Sequence, residues 1–283
     1  MSVDKSKSPY FDDYNAEKKY HEILFRPRRA VQTRELNQVQ SMFNEQIKRL
    51  GEHTFEDGSV VIPGETSFDL QLDYVTVTIP NYSSIVGLLG SPNIELRAGN
   101  GINAKVKLFR EIDGSDPATF YVEYGDSSND RQFTKFQNNT PVEIILNNQV
   151  IATATITGTG LGSKFTINNG VYYISGRFVL IEQQTVLLDK YSDTPSKVVG
   201  IRYVESVVTE SEDNSLFDNA QGTPNFSAPG AHRLRVDTEL VTYDLATSDD
   251  IPDNVVEIFR IDNGQVQRTY RGPEYNILGD VLA

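Results

Sequence analysis

The sequence predicts a mainly β fold, built of small sandwich or barrel domains, with an extended N-terminal arm and one amphipathic helix ahead of it. Three observations carry that expectation. After Phe55 the chain falls into short runs of alternating apolar and polar residues separated by Asn, Asp and Gly, the signature of strands and tight turns. Between Arg28 and Leu50 there is neither proline nor glycine, and Leu36, Val39, Phe43, Ile47 and Leu50 are spaced by 3, 4, 4 and 3 residues. That spacing lays one apolar stripe along a helix at a period of about 3.5. The third is size: 283 residues, 38% of them hydrophobic, suffice to bury a substantial core.

Taken in order, residues 1–30 read as an arm. "MSVDKSKSPYFDDYN" has charges and tyrosines but little apolar periodicity, so it is expected to order only against a partner. The helix is expected over residues 31–51. Thr33 is a candidate N-cap, Glu35 sits in the first turn where the helix dipole favours an acid, and Gly51 is a stop after Lys48–Arg49.

Asp57–Gly58 reads as a hairpin turn, Gly99-Asn100-Gly101 as a bend, and Asn147–Asn148, Asn169–Gly170 and Asp262-Asn263-Gly264 as further turns. "ESEDNSLFDNAQGTPNFSAPGAHR" is a long loop with a helical turn within Asn214–Asn219, and "EYNILGDVLA" closes the chain on apolar residues. The expected organisation is an outer β framework of residues 52–67 plus 166–283, with a small β domain, 68–165, inserted into it.

The formal charge is −13, but residues 1–60 hold ten basic and ten acidic side chains, so the rest of the chain carries all of it. An acidic body repels phosphates and argues against a nucleic-acid surface. Arg26, Arg28 and Arg29 form the one dense basic run. It is either a solvated or ion-paired approach to the helix or, with the stripe, part of a docking surface. The stripe also allows two readings: a helix lying on its own sheet, or a short bundle made with copies of itself. Three turns are too short to hold a bundle unaided.

Catalytic and cofactor chemistry finds little support. With no cysteine there are no disulfides, thiolate metal sites or thiol nucleophiles. His21, His53 and His232 stand at no metal-ligand spacing, and neither a GxxxxGK[ST] loop nor a GxSxG elbow occurs. "GTGLG" at Gly158–Gly162 imitates a phosphate loop but stands between strands, where no helix can meet the phosphate. Adjacent acids such as Asp12–Asp13 and Asp249–Asp250 are expected by chance among 39. The sequence therefore predicts no enzyme, no cofactor and no metal. No apolar run approaches the roughly 20 residues of a membrane span, and the N-terminus lacks the apolar core of a signal peptide. A soluble protein made in the cytoplasm is expected.

The blocks "YFDDYNAEKKYHEILFRPRRAVQTRELNQVQSMFNEQIKRLGEHTFEDGSVVIPG" (10–64) and "NGVYYISGRFVLIEQQTVLLDKYSDTPSKVVGIRYVESVVTESEDNSLFDNAQGTPNFSAPGAHRLRV" (169–236) resemble a family of tailed-bacteriophage virion proteins. Its members are baseplate or tail-fibre components of contractile-tailed phages, including cyanophages. The resemblance implies an N-terminal module attaching a fibre to the tail baseplate, with other tail proteins as partners and assembly in the host cytoplasm. Fibres of this kind are commonly homotrimers, which would gather the stripe and the arginines at one axis. Family members usually run on past this length, so a longer fibre is expected. A receptor- or glycan-binding fibre module and a baseplate wedge component are the alternatives. A distal region could then meet a host receptor.

Overall fold

The computed structural model describes residues 3–62, 64–125 and 135–269. The apolar end "EYNILGDVLA" and the side chain of Asp249 lie outside the described residues. The fold is mainly β, as expected, and is built on two large cores joined by one pair of long strands, with a small cluster of Leu72, Tyr121 and Leu187 between them.

That pair is β2 (Thr66–Thr78) and β7 (Gln149–Ile167), antiparallel from Thr66↔Ile167 to Thr78↔Thr155. At one end β2 pairs with β5 (Ala118–Tyr124), which pairs with β4 (Asn103–Arg110). From there β3 (Ile94–Ala98) leads to β6 (Pro141–Leu146), which pairs back to β7. Six strands thus close into an antiparallel barrel, which leaves no free edge among them. Its interior holds Val75, Val77, Leu96, Phe120, Ile144 and Ile156. A second helix, α2 (Tyr82–Leu89), turns the fully buried Leu89 into this core. The sequence predicts one helix only, because "YSSIVGLL" is too short and too uniformly apolar to show a helical period.

The other ends of β2 and β7 belong to the framework. There β10 (Gln184–Asp189) extends the sheet along β7. A three-stranded sheet of β1 (Val60–Ile62), β8 (Gly170–Ile174) and β9 (Arg177–Ile181) lies nearby. A four-stranded sheet, in the order β12 (Arg233–Asp244), β11 (Lys197–Val208), β13 (Val255–Asp262) and β14 (Gln265–Thr269), completes the framework. Their shared core contains Phe165, Tyr172, Ile181, Val199, Phe259 and Ile261.

The turn chemistry works largely as the residues suggest. Asn147 and Asn148 both take positive φ between β6 and β7, and Asn263 and Gly264 do so between β13 and β14, the geometry of two-residue hairpins. Asp57–Gly58 is a turn but not a hairpin. It joins the helix to β1, with the Gly58 N–H donating to the Tyr173 carbonyl at 2.8 Å. The glycines of "GTGLG" serve packing. Gly160 faces Tyr74 in the register, and a Cβ there would come within 2.7 Å of the Tyr74 hydroxyl, so the bare backbone makes room for the ring.

The helix α1 (Thr33–Thr54) departs from expectation at both ends. Its N-cap is Gln32, whose N–H donates to the Glu35 carboxylate at 2.8 Å, leaving Thr33 as the first helical residue. Gly51 does not stop it. It is buried inside the last turn, where a Cβ would lie 2.2 Å from the Tyr173 ring. Tyr173 OH in turn donates to the Lys48 carbonyl at 3.0 Å, and burial pushes its pKa up to about 12. Gly51 is thus the seat of the helix on β8. Gly51→Ala should lower stability by about 1–3 kcal/mol through overpacking, measured by urea denaturation. Unchanged stability would show that this contact is not tight.

Candidate functional site

An amphipathic helix normally buries its apolar side on its own domain. Here α1 is turned the other way. Leu36, Phe43, Ile47 and Leu50 are 52%, 66%, 45% and 70% exposed, and Val39 is half-buried. The buried helix residues are Ser41, Met42 and Gly51. With 3.6 residues per turn, Ser41 lies on roughly the opposite side from Phe43, and Met42 and Gly51 lie about a quarter-turn to either side of it. The apolar stripe therefore does not lie on the chain's own sheet.

Apart from Met42 and the Gly51–Tyr173 seat, what holds the helix is polar. The arm is folded back over α1 instead of extending freely, a correction to the sequence expectation. Asp12, 8% exposed, accepts from the Ser41 hydroxyl and from the Tyr14 N–H, with Lys5 at 4.0 Å. Gln38 Nε2 donates to Asp13, and Asn37 Nδ2 donates to the Tyr10 carbonyl at 3.3 Å. The other side of the arm meets the framework. Tyr10 OH lies 2.8 Å from His232 Nδ1, and Glu210 lies 3.5 Å from Nε2 of the same ring.

The Val3 N–H donates to Glu205 at 2.9 Å, and Arg177 from β9 pairs with the same carboxylate. Buried polar groups need such partners, and the partners here fix the arm in one place. The arm expectation failed because the anchors are single polar residues with distant partners, which leave no periodic trace.

Beyond Tyr14 the chain runs past the start of α1, where Tyr20 and Ile23 share a cleft with Gln38 and Met42. Residues 21–30 are exposed apart from the half-buried Ile23, with Leu24 78% and Phe25 51% exposed. Arg26, Arg28 and Arg29 lie within this stretch, and none of them pairs with a carboxylate among the described residues. They precede the stripe in sequence and are, like it, solvent-facing. Nothing draws them into the arm's anchoring network.

Elsewhere, His21 and His53 are exposed and His232 serves the arm. Among the described residues no group of three or more His, Asp or Glu side chains is placed to hold a metal, and no helix is long and apolar enough to cross a membrane. The partners of the arm escaped sequence reading. Glu205 and Arg177 are strand residues whose value appears only when Val3 lies beside them.

The geometry defines a class: a β framework carrying a barrel on one strand pair and a helix that shows its apolar face to solvent. The chain belongs to the DUF4815 family, described as a domain of unknown function, whose model matches residues 8–83 and 152–283. The unmatched stretch contains most of α2, all of β3 to β6 and the first residues of β7. No curated protein and no solved structure matches the chain.

The Glu205 carboxyl carries the arm's pH dependence. Burial works to raise its pKa, but the Val3 N–H and the Arg177 guanidinium outweigh it and hold it below the usual carboxylate range. A depressed pKa stabilises docking above the free value of about 4.3 and withdraws that help as pH falls through the lower, docked value. Amides over residues 3–14 should be protected from exchange, relative to their intrinsic rate at the same pH, at pH 7 and lose that protection below about pH 4. Glu205→Gln should show faster exchange than the natural chain already at pH 7. Equal exchange in both proteins at pH 7 would remove Glu205 from the anchor.

Proposed function

We propose that the chain is a non-enzymatic structural module of a tailed-phage virion, attaching a fibre to the tail baseplate as a homotrimer. One observation carries the reading: the apolar stripe of α1 faces solvent while its polar side is fastened to the body. A helix held this way is presented, and a stripe of about 3.5-residue period suits packing against copies around one axis. Covering the exposed part of Leu36, Phe43, Ile47 and Leu50 contributes about half of the roughly 1.5–3 kcal/mol that full burial of each would, which favours association.

The exposed segment with Arg26, Arg28 and Arg29 supports attachment. Its unpaired guanidiniums and apolar neighbours suit an acidic, partly apolar surface on another tail protein. The sequence resemblance to virion proteins supplies the setting, a particle assembled in the host cytoplasm.

Phe43→Asp separates this from a monomeric role. Light scattering should give a trimer for the natural chain and a monomer for Phe43→Asp. The circular dichroism spectrum should stay unchanged, since residue 43 is solvent-facing in the single chain. A natural chain that stays monomeric at high concentration would overturn the trimer. Arg26→Glu/Arg28→Glu/Arg29→Glu should leave the trimer intact and reduce incorporation into tails at least tenfold. Normal incorporation would remove the arginines from the docking surface.

A further inference from the structure

The largest sheet is irregular at one level on both sides of β7. Along β2 the pairing passes from Asp69↔Lys164 to Leu72↔Gly162, so β2 carries one residue more than β7 there. Along β10 it passes from Leu187↔Lys164 to Asp189↔Ser163, and again the neighbour carries the extra residue. A bulge interrupts the ladder and bends its strand. Two of them at residues 162–164, one on each side, leave a line of weak pairing between barrel and framework. Apolar packing at this level is the small cluster of Leu72, Tyr121 and Leu187.

Polar contacts cross this line, and they converge on residues 189–192, at the end of β10 and just past it. The fully buried Ser163 hydroxyl accepts from the Asp189 N–H at 3.1 Å and donates to the Ser192 carbonyl at 3.0 Å. From the barrel, Tyr121 OH donates to the Lys190 carbonyl at 3.3 Å. Asp116, in the loop before β5, accepts from Lys190 Nζ at 2.5 Å and from Tyr191 OH. Thr119 Oγ1 lies 3.1 Å from the same hydroxyl, and the Tyr74 and Tyr191 rings meet edge-on, 4.9 Å apart. The backbones are close as well, since a Cβ on Gly162 would lie 2.7 Å from the Lys190 carbonyl oxygen.

Beside this segment the two bodies stand apart. A cleft of about 1050 Å³ has Val86, Phe109 and Ile112 of the barrel on one side and Val186, Lys197 and Thr242 of the framework on the other, with Lys190 and Tyr191 also lining it. Ile112 is 49% exposed, so closing the cleft would cover apolar surface, which is favourable. We infer that the barrel is hinged on the framework at residues 162–164, and that residues 189–192 are a strap holding it off the cleft, with Asp116 as the fastening. The Lys190 and Asp116 side chains are 41% and 26% exposed, and ion pairs so exposed contribute little to stability. Hydrogen bonds are directional, and several of them to one short segment fix an angle. Loss of the fastening should therefore move the barrel more than it destabilises it. The device belongs to the single chain and does not rest on the helix-stripe assembly.

The test measures a distance across the hinge by pulsed electron spin resonance. Spin labels go on Glu111→Cys, on the barrel side of the cleft, and Ala246→Cys, just past β12 on the framework. Both positions are exposed, and the chain has no other cysteine. The labelled chain is compared with the same chain carrying Asp116→Ala or Tyr191→Phe, with circular dichroism alongside. The expected result is one narrow distance for the strapped chain. Each variant should give a distribution at least twofold broader that extends to shorter distances, with an unchanged spectrum. A narrow, unshifted distance in both variants would overturn the hinge, and a broad one in the strapped chain would overturn the strap. Broadening towards longer distances alone would overturn closure onto the cleft. Should Asp116→Ala unfold, Tyr191→Phe decides, since it keeps the ring beside Tyr74 and removes only the hydroxyl.

Discussion

Both cores depend on the ladder between β2 and β7. Val75, Val77 and Ile156 of this pair sit in the barrel, while Phe165 and Ile167 of the same β7 sit in the framework. A strand interior to two cores cannot shift register by one residue without turning apolar side chains out of both. Its irregularities are therefore confined to two places, between Asp69 and Leu72 and between Thr76 and Val77. Such local bulges let strands curve from one core into the next. The Gly160–Tyr74 pair shows the same economy: a missing side chain on one strand is filled by a ring from its partner.

The helix is held by a different kind of force. Apolar burial is non-directional, so an apolar seat would have swallowed the stripe. Hydrogen bonds and ion pairs are directional, and they attach the helix by the side that carries Ser41 and Gln38. The arm bridges α1 on one side and Glu205 of β11 and His232 of the loop before β12 on the other, with Arg177 of β9 paired to that Glu205. Its contacts reach the N-terminal half of the helix, and the Gly51–Tyr173 seat fixes the other half. Two attachments at separate points define a direction as well as a position.

What could be read from the sequence followed the range of the interaction. Turns were legible because Asn147–Asn148 and Asn263–Gly264 act through their own φ angles. Strands were legible from alternation, and so was the helix from its spacing. Gly51 misled because the local reason to end a helix there was outweighed by Tyr173, 122 positions away. The closing of the barrel through β6 and β7, and of β3 onto β6, depends on which edges meet, which no local pattern encodes. For the candidate site, the stripe residues were visible, but not the side on which they would lie. That was decided by Asp12, Tyr10 and Glu205, none of which stands in a recognisable pattern.

The ladder's last pair, Thr78 with Thr155, carries a consequence for how such proteins vary. Directly paired strand residues lie about 4.5–5.5 Å apart, so everything between them leaves and returns through one narrow doorway. The cost of closing a chain segment across a fixed gap rises only slowly with its length. A longer or shorter excursion fits that doorway at little cost. A wholly different one would also forfeit the Asp116 contacts to Lys190 and Tyr191 that tie the barrel to the chain just past β10.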